Sequence, residues 1–214
     1  MRSGKISESV LTRSVLRKIK TEREEVVCGA GIGVDCAVLS FDDGEESVFS
    51  TNPVSAPADM VCVYGVNRAL NNVAAAGAEP VGILLSAMLP EDLEEKELQN
   101  MMAQAEEICS RYHVQIAGGH TEITGVVRQP VLTVTGIGKR KKEDVSGRSV
   151  KPGQDVVVSK WLGLDGTVRI AREHRAELLT RYPARMIEEA AGFEQFFSVI
   201  PEAATARKSG VCGI

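Results

Sequence analysis

Apolar residues recur at two periods along this chain, and the switches between them mark its elements. Behind Ser7, a residue able to cap a helix, Val10, Leu11, Val15 and Ile19 keep one face while Arg13, Arg17, Lys18 and Lys20 cover the other. This predicts an amphipathic surface helix. Residues 59–77 predict a second helix, rich in small residues and closing on Ala74-Ala75-Ala76-Gly77, where glycine suits the position after the last turn. Pro90-Glu91-Asp92 opens a third, with acidic residues facing the positive end of the helix dipole. There Leu98, Met101, Met102, Ala105, Ile108, Cys109 and Tyr112 recur at spacings of three and four, a stripe that reads as core rather than as a cofactor box.

Strand patterns fill the intervals. A glycine-rich turn over residues 28–36 feeds a short apolar strand; Asp42-Asp43-Gly44 turns the chain, and Ser47-Val48-Phe49-Ser50-Thr51 predicts the second strand of a hairpin. Residues 81–88 are almost wholly apolar and predict a buried strand. Val114-Gln115-Ile116-Ala117 and residues 131–137 predict two more, separated by a Gly118-Gly119-His120-Thr121-Glu122 turn, and the basic run 139–142 predicts a solvated loop. Lys151-Pro152-Gly153 reads as a boundary, followed by a strand at 155–159, a helix over 166–179, and helical segments over 184–206 broken at Gly192 and Pro201.

Composition narrows the function classes. The 29 acidic residues against 25 Lys and Arg leave a charge of −4, which argues against a nucleic-acid binder. With 43% apolar and 25% charged residues the chain suits a soluble globular protein, and 214 residues lie between one domain and two. Cys28, Cys36, Cys62, Cys109 and Cys212 are odd in number and form no Cys-x-x-Cys pair, so neither a disulfide framework nor a zinc site is indicated. The first four read as small core residues in a reducing compartment. No signal-like apolar segment and no apolar run near 18 residues occurs, which gives a cytoplasmic, soluble expectation with no membrane partner.

Three clusters carry candidate chemistry. Gly29-Ala30-Gly31-Ile32-Gly33 lacks the third glycine of a dinucleotide fingerprint, since Val34 stands there, and it leads into a strand rather than a helix. Ser3-Gly4-Lys5 lacks the upstream glycine and strand of a Walker A loop. What remains is a glycine turn that delivers Asp35, or an ordinary hairpin turn. In the second cluster, residues 118–122, two glycines open the backbone to phosphate oxygens ahead of an imidazole, a hydroxyl and a carboxylate; a satisfied loop histidine is the plainer alternative. In the third, Asn71 and Asn72 sit side by side in a helix that asparagine disfavours, either for function or for a local buried hydrogen bond.

In order along the chain, Gly33-Val34-Asp35-Cys36-Ala37-Val38-Leu39, Ser50-Thr51-Asn52-Pro53-Val54, Asn71-Asn72-Val73-Ala74-Ala75-Ala76-Gly77-Ala78-Glu79-Pro80, Gly118-Gly119-His120-Thr121-Glu122 and Val158-Ser159-Lys160-Trp161-Leu162-Gly163-Leu164-Asp165-Gly166-Thr167 resemble the signatures of the aminoimidazole ribonucleotide (AIR) synthetase superfamily. The nearest branch is that of synthetase-related proteins similar to the hydrogenase maturation carbamoyl dehydratase. The resemblance implies an α/β (α+β) fold: an AIR synthetase-like N-terminal domain over residues 1–150, with a mixed sheet packed by helices, then an incomplete C-terminal α/β domain over 151–214. It implies a homodimer formed through the sheet, and ATP with magnesium bound in a cleft. Family members use ATP to convert a poor leaving oxygen of a small substrate into a phosphate.

By the same resemblance Asp35, Asn52 and Asn72 stand where magnesium is held, Lys5 reaches the ATP phosphates, and Asn71, Gly118, Gly119, His120 and Thr121 line the nucleotide site. The family pattern has paired aspartates after the first glycine, an aspartate in the Thr-Asp-Pro strand end, and Asn-Asp in the helix. Here Val34, Asn52 and Asn72 occupy those carboxylate positions, and amides replace carboxylate charge poorly for a hard cation. His120 stands where many branches carry Asp or Glu. The maturation enzyme's Pro-Arg-Ile-Cys tail has no counterpart, and Cys212 has a single basic neighbour in Lys208, which argues against a nucleophile. Two functions stay open: a magnesium- and ATP-dependent enzyme acting on a small molecule, or a catalytically inactive or truncated homologue serving as a dimeric structural or nucleotide-binding module. An acidic scaffold without a ligand is a third.

Overall fold

The computed structural model describes residues 4–34, 36–142 and 151–211. Its elements are β1 (Gly4–Lys5), α1 (Glu8–Val10), β2 (Val26–Cys28), β3 (Val38–Leu39), β4 (Glu45–Ser55), α2 (Val61–Ala75), β5 (Glu79–Leu89), α3 (Glu95–Arg111), β6 (Gln115–Ile123), β7 (Val131–Lys141), α4 (Leu164–Glu173), α5 (Arg175–Leu178), α6 (Ala184–Ala191) and α7 (Ile200–Lys208). Five strands form a mixed sheet in the order β1-β6-β5-β7-β4. β5 and β6 run parallel, joined through α3, and the other pairs are antiparallel.

Period-2 alternation puts Ile83, Leu85, Leu132 and Val134 on the side covered by α2 and α3, where they join Leu70, Leu98, Met101 and Ile116 in one core. α2 rides close on β7 because β7 carries glycine beneath it. A side chain at Gly136 would stand 2.9 Å from the Ala69 carbonyl oxygen, and one at Gly138 would stand 2.4 Å from Val73 Cγ1. The opposite face leaves Phe49, Thr51, Pro53, Ser86 and Met88 exposed.

Several expectations change. Residues 38–39 do not form a hairpin with 47–51: β3 pairs with β2, and β4 pairs with β7 along eleven positions, from Glu45 opposite Lys141 to Ser55 opposite Val131. The long ladder outweighs the local turn because it satisfies far more backbone groups. Residues 118–122 are not a turn but the body of β6. A register shift pairs Ile83 with Ile116 and Leu84 with Gly118, leaving Ala117 as the extra residue of a bulge. The basic run lies largely in β7 rather than in a loop, and two of its charges are met by acidic partners: Lys139 pairs with Glu25 at 2.7 Å and Arg140 with Glu46 at 3.0 Å.

Ser7 does cap the first helix, but that helix is three residues long and tightens or loosens into π and 3₁₀ turns through Lys18. α3 starts at Glu95, behind a Glu94/Glu97 capping box, not at Pro90. The 155–159 segment is not a strand. Val156 is 92% exposed and Val157 89%, since β-propensity forms no ladder without a partner edge. The 166–179 helix divides at His174 into α4 and α5, and Pro201 sits in the first turn of α7, where proline is tolerated, rather than interrupting a helix. Of the four cysteines expected in the core, Cys62 and Cys109 are buried, Cys28 is half-buried and Cys36 is exposed. Cys212 lies outside the described residues.

Candidate functional site

Two separate groups of the residues singled out in the sequence come together. The first forms where β4 passes under the end of α2. Ser50 and Asn52, two positions apart on β4, share a face, and Asn72 reaches down to them. The Ser50 Oγ accepts hydrogen bonds from Asn52 Nδ2 and Asn72 Nδ2, each at 3.0 Å. Asn71 points elsewhere, as the roughly 100° turn per helical residue requires. Its Nδ2 donates to the Phe197 carbonyl at 2.7 Å and its Oδ1 accepts from the Val199 N–H at 2.9 Å. Both ends of that amide thus clasp the chain that leads into α7.

A cavity of about 270 Å³ opens beside this corner, with Arg68, Asn71 and Asn72 of α2 on one side and Lys160, Trp161 and Asp165 on the other. Arg68 bonds Asp165 at 2.9 Å. Lys160 pairs with Glu202 at 2.8 Å and donates to the Ser198 carbonyl, and these bonds hold its backbone in the left-handed region at φ 57°. Trp161 stacks on Phe193 with centroids 5.6 Å apart and meets Phe196 edge-on. The Arg169 guanidinium lies 4.3 Å above the Tyr64 ring, and burial pushes the Tyr64 hydroxyl up to about 12.

The second group lies along β6. Gly119 adopts φ 152°, and a side chain there would strike the Leu85 carbonyl oxygen at 2.0 Å, so glycine serves the close approach of β5. His120 Nε2 stands 3.4 Å from Glu122 Oε2, and Lys5 on β1 pairs in register with Glu122. The glycine-rich arm crosses this strip: Ala37 Cβ lies 3.7 Å from the position a Gly118 side chain would take, and Gly29 packs on Gln115. Arg23, bonded to Glu25, Glu79 and the Gln115 side chain, ties the arm's root to the sheet. Hydrogen bonds from Arg23 hold the Glu25 carboxyl near 2, well below its usual range.

Asp35 lies outside the described residues. Of the rest, Asn52 and Asn72 meet at Ser50, while Lys5, Gly118, Gly119, His120 and Thr121 gather at the other side of the sheet. Three strand spacings, about 14 Å, separate β6 from β4. Ser50, Arg68, Lys160 and Asp165 carried no assigned role from sequence. Arg68 had a signal, being the lone charged side chain between Val61 and Ala78.

The model of the AIR synthase related protein N-terminal domain matches residues 33–139, half of the chain, and the chain belongs to that family. A Methanocaldococcus jannaschii protein described as a hydrogenase expression/formation protein is 24% identical over 181 residues, covering 79% of this chain and 52% of that one. Bacillus subtilis thiamine-monophosphate kinase is 28% identical over 138 residues, covering 59% and 41%. The crystal structure of hydrogenase maturation protein HypE in complex with ATP superposes with a TM-score of 0.57 at 21% identity, over 68% of this chain and 43% of that one. The chain spans about half the length of the curated relatives it matches. The mixed α/β fold expected from the motifs is the fold observed. Among the described residues no helix is long and apolar enough to cross a membrane.

Proposed function

We propose that this chain is an ATP-binding member of the family that acts in ATP-driven phosphoryl chemistry on an oxygen of a small molecule. The observation that carries this reading is the meeting of the glycine-rich arm with Gly118, inside the region that matches the family model. Support comes also from two relatives, one a kinase by name and one solved with ATP. In this reading Lys5, Gly118, Gly119, His120 and Thr121 line the nucleotide, with Asp35 delivered by the arm, and residues 1–150 form the nucleotide domain while 151–214 begin a second. The exposed sheet face around Phe49 and Met88 is the homodimer surface; a second copy laid on it would cover apolar groups that a lone subunit leaves in water.

Magnesium, which the family resemblance implies, does not fit the donors at the Ser50 corner. Its three side chains are a hydroxyl and two amides, and among the described residues no cluster of three His, Cys, Asp or Glu is placed to hold a metal. Burial pushes the Cys62 thiol up to about 12 and raises Cys109 as well, which leaves both as inert core residues. The free thiols suit a reducing, cytoplasmic setting.

The test is isothermal titration of the purified chain with ATP, GTP and adenosine, alongside release of ADP in the presence of candidate acceptors. Saturable ATP binding that Lys5→Met and His120→Ala weaken is the expected result. Binding without any ADP release would leave a nucleotide-binding module, and no binding at millimolar ATP would overturn the proposal.

A further inference from the structure

We infer that the buried ion pair of Arg23 and Glu25, together with Gln115, sets the angle at which the glycine-rich arm lies over the sheet, and that these three are positioning residues for the ligand site along Gly118, acting through the arm. The identity of the ligand rests on the nucleotide reading above; the fixing of the arm does not.

The arm has little of its own to orient it. Its ladder pairs Val26 with Leu39 and Cys28 with Val38, with an irregularity between them. Further out, a side chain at Gly33 would meet no atom of the described residues within 4 Å, and one at Gly31 would meet only Val34. Against the sheet, Ala37 Cβ lies 3.7 Å from the side-chain position at Gly118, and Leu39 Cδ2 lies 4.0 Å from that at Gly82. Such apolar contacts carry no direction. Direction comes from the root.

There the two ends of the arm converge, since the Ser40 N–H donates to the Glu25 carbonyl at 2.8 Å. The Arg23 and Glu25 side chains, 8% and 5% exposed, are joined by two bonds, Nε to Oε2 at 2.8 Å and Nη2 to Oε1 at 2.5 Å. Arg23 also donates to Glu79 at the start of β5 at 2.9 Å and to the His113 carbonyl just before β6 at 3.1 Å, while Glu25 accepts from Lys139 of β7 at 2.7 Å. A planar guanidinium with donors at fixed angles, tied in this way to three strands, leaves the root one orientation. Gln115 carries it into the arm: its Oε1 accepts the Arg23 N–H at 2.7 Å, and its Nε2 lies 3.0 Å from the side-chain position at Gly29. About 10 Å of extended chain separates Ser40 from Ala37, so a tilt of about 10° at the root moves Ala37 by about 2 Å over Gly118. A buried ion pair adds little net stability over apolar residues of similar size, so orientation is what this one supplies.

The test replaces the pair by apolar residues, Arg23→Met with Glu25→Leu, so that neither charge is buried alone and Lys139 keeps Glu45. Melting temperature, hydrogen exchange of residues 26–39 and of β7, and ATP calorimetry are measured. Expected are melting within about 3 °C of the unmodified chain, exchange about tenfold faster in 26–39 with β7 unchanged, and ATP affinity about tenfold weaker. Arg23→Lys, which keeps the charge and loses the fork, should also loosen the arm, as should Gln115→Leu; Gln115→Glu, which keeps the acceptor, should not. Unchanged exchange in the arm, or faster exchange in the arm and β7 alike, overturns the inference. Should the paired variant fail to fold, Gln115→Leu against Gln115→Glu decides by the same measurements. An arm that loosens while ATP affinity stays the same overturns the positioning role and leaves the nucleotide reading standing. No ATP binding by the unmodified chain removes the nucleotide reading alone, and exchange in the arm still decides whether the root fixes it.

Discussion

On its helix-covered side the central sheet buries Ile83, Leu85, Leu132 and Val134 beneath α2 and α3, whereas on its other side Phe49 stays 64% exposed beside Thr51, Ser86 and Met88. The two faces alternate along the same strands, so composition alone does not separate them. What separates them is glycine. Gly136 and Gly138 let α2 sink onto one face, while the other keeps hydroxyl and aromatic side chains that, apart from the arm over Gly118, are left exposed among the described residues. One face is thus fixed by packing within the chain, and the other leaves Phe49 and Met88 open to solvent.

That contrast can be broken at its root. Gly119→Ala would drive a methyl into the Leu85 carbonyl, and a cost on the order of 4 kcal/mol or failure to fold is expected in urea denaturation. Leu70→Ala, wholly buried under the covered face, should cost about 3 kcal/mol and lower the melting temperature accordingly.

Acid should act through the arm. The Glu25 carboxyl is held near 2 by Arg23, so its contribution is complete above the ordinary carboxylate range and is lost as pH falls toward 2. Up to about 2 kcal/mol should disappear between roughly pH 5 and 2, and Arg23→Met should flatten that part of a stability-against-pH curve. Asn71→Ala should cost about 1 kcal/mol and, more tellingly, speed hydrogen exchange in α7 without changing it in β7, because the clasp to Phe197 and Val199 is local. The smallest effect on stability, within about 0.5 kcal/mol, is expected from Phe49→Asp on the open face. If that face is the homodimer surface, sedimentation should show the variant as a monomer; an unchanged mass would count against it.

Much of the architecture was legible because it followed local periodicity. The α3 stripe from Leu98 to Cys109 is buried as its spacing predicts, and the apolar run at 81–88 is a central strand. Pairing was less legible. Nothing near 47–51 announces that its partner is 131–141, because strand pairing depends on residues far along the chain. Two glycines followed by polar residues look like a turn until the neighbouring strand is present, and then the same glycines explain why two backbones can approach. At the candidate site, the pair Asn71-Asn72 was conspicuous, yet the division of labour between them comes from the helical turn that sends one side chain to Ser50 and the other to Phe197.

The sequence by itself determined the family, through five ordered motifs, and the positions of the main helices and strands, since periodicity and motif order are properties of the chain alone. Only the tertiary structure decided that Ser50 accepts from the amides of both Asn52 and Asn72, that Arg68 and Lys160 face one cavity, and that β6 and β4 carry their candidate residues on distant strands of one sheet. Those are facts of distance and hydrogen-bond direction between residues far apart in the chain, and they exist only once the sheet has chosen its order.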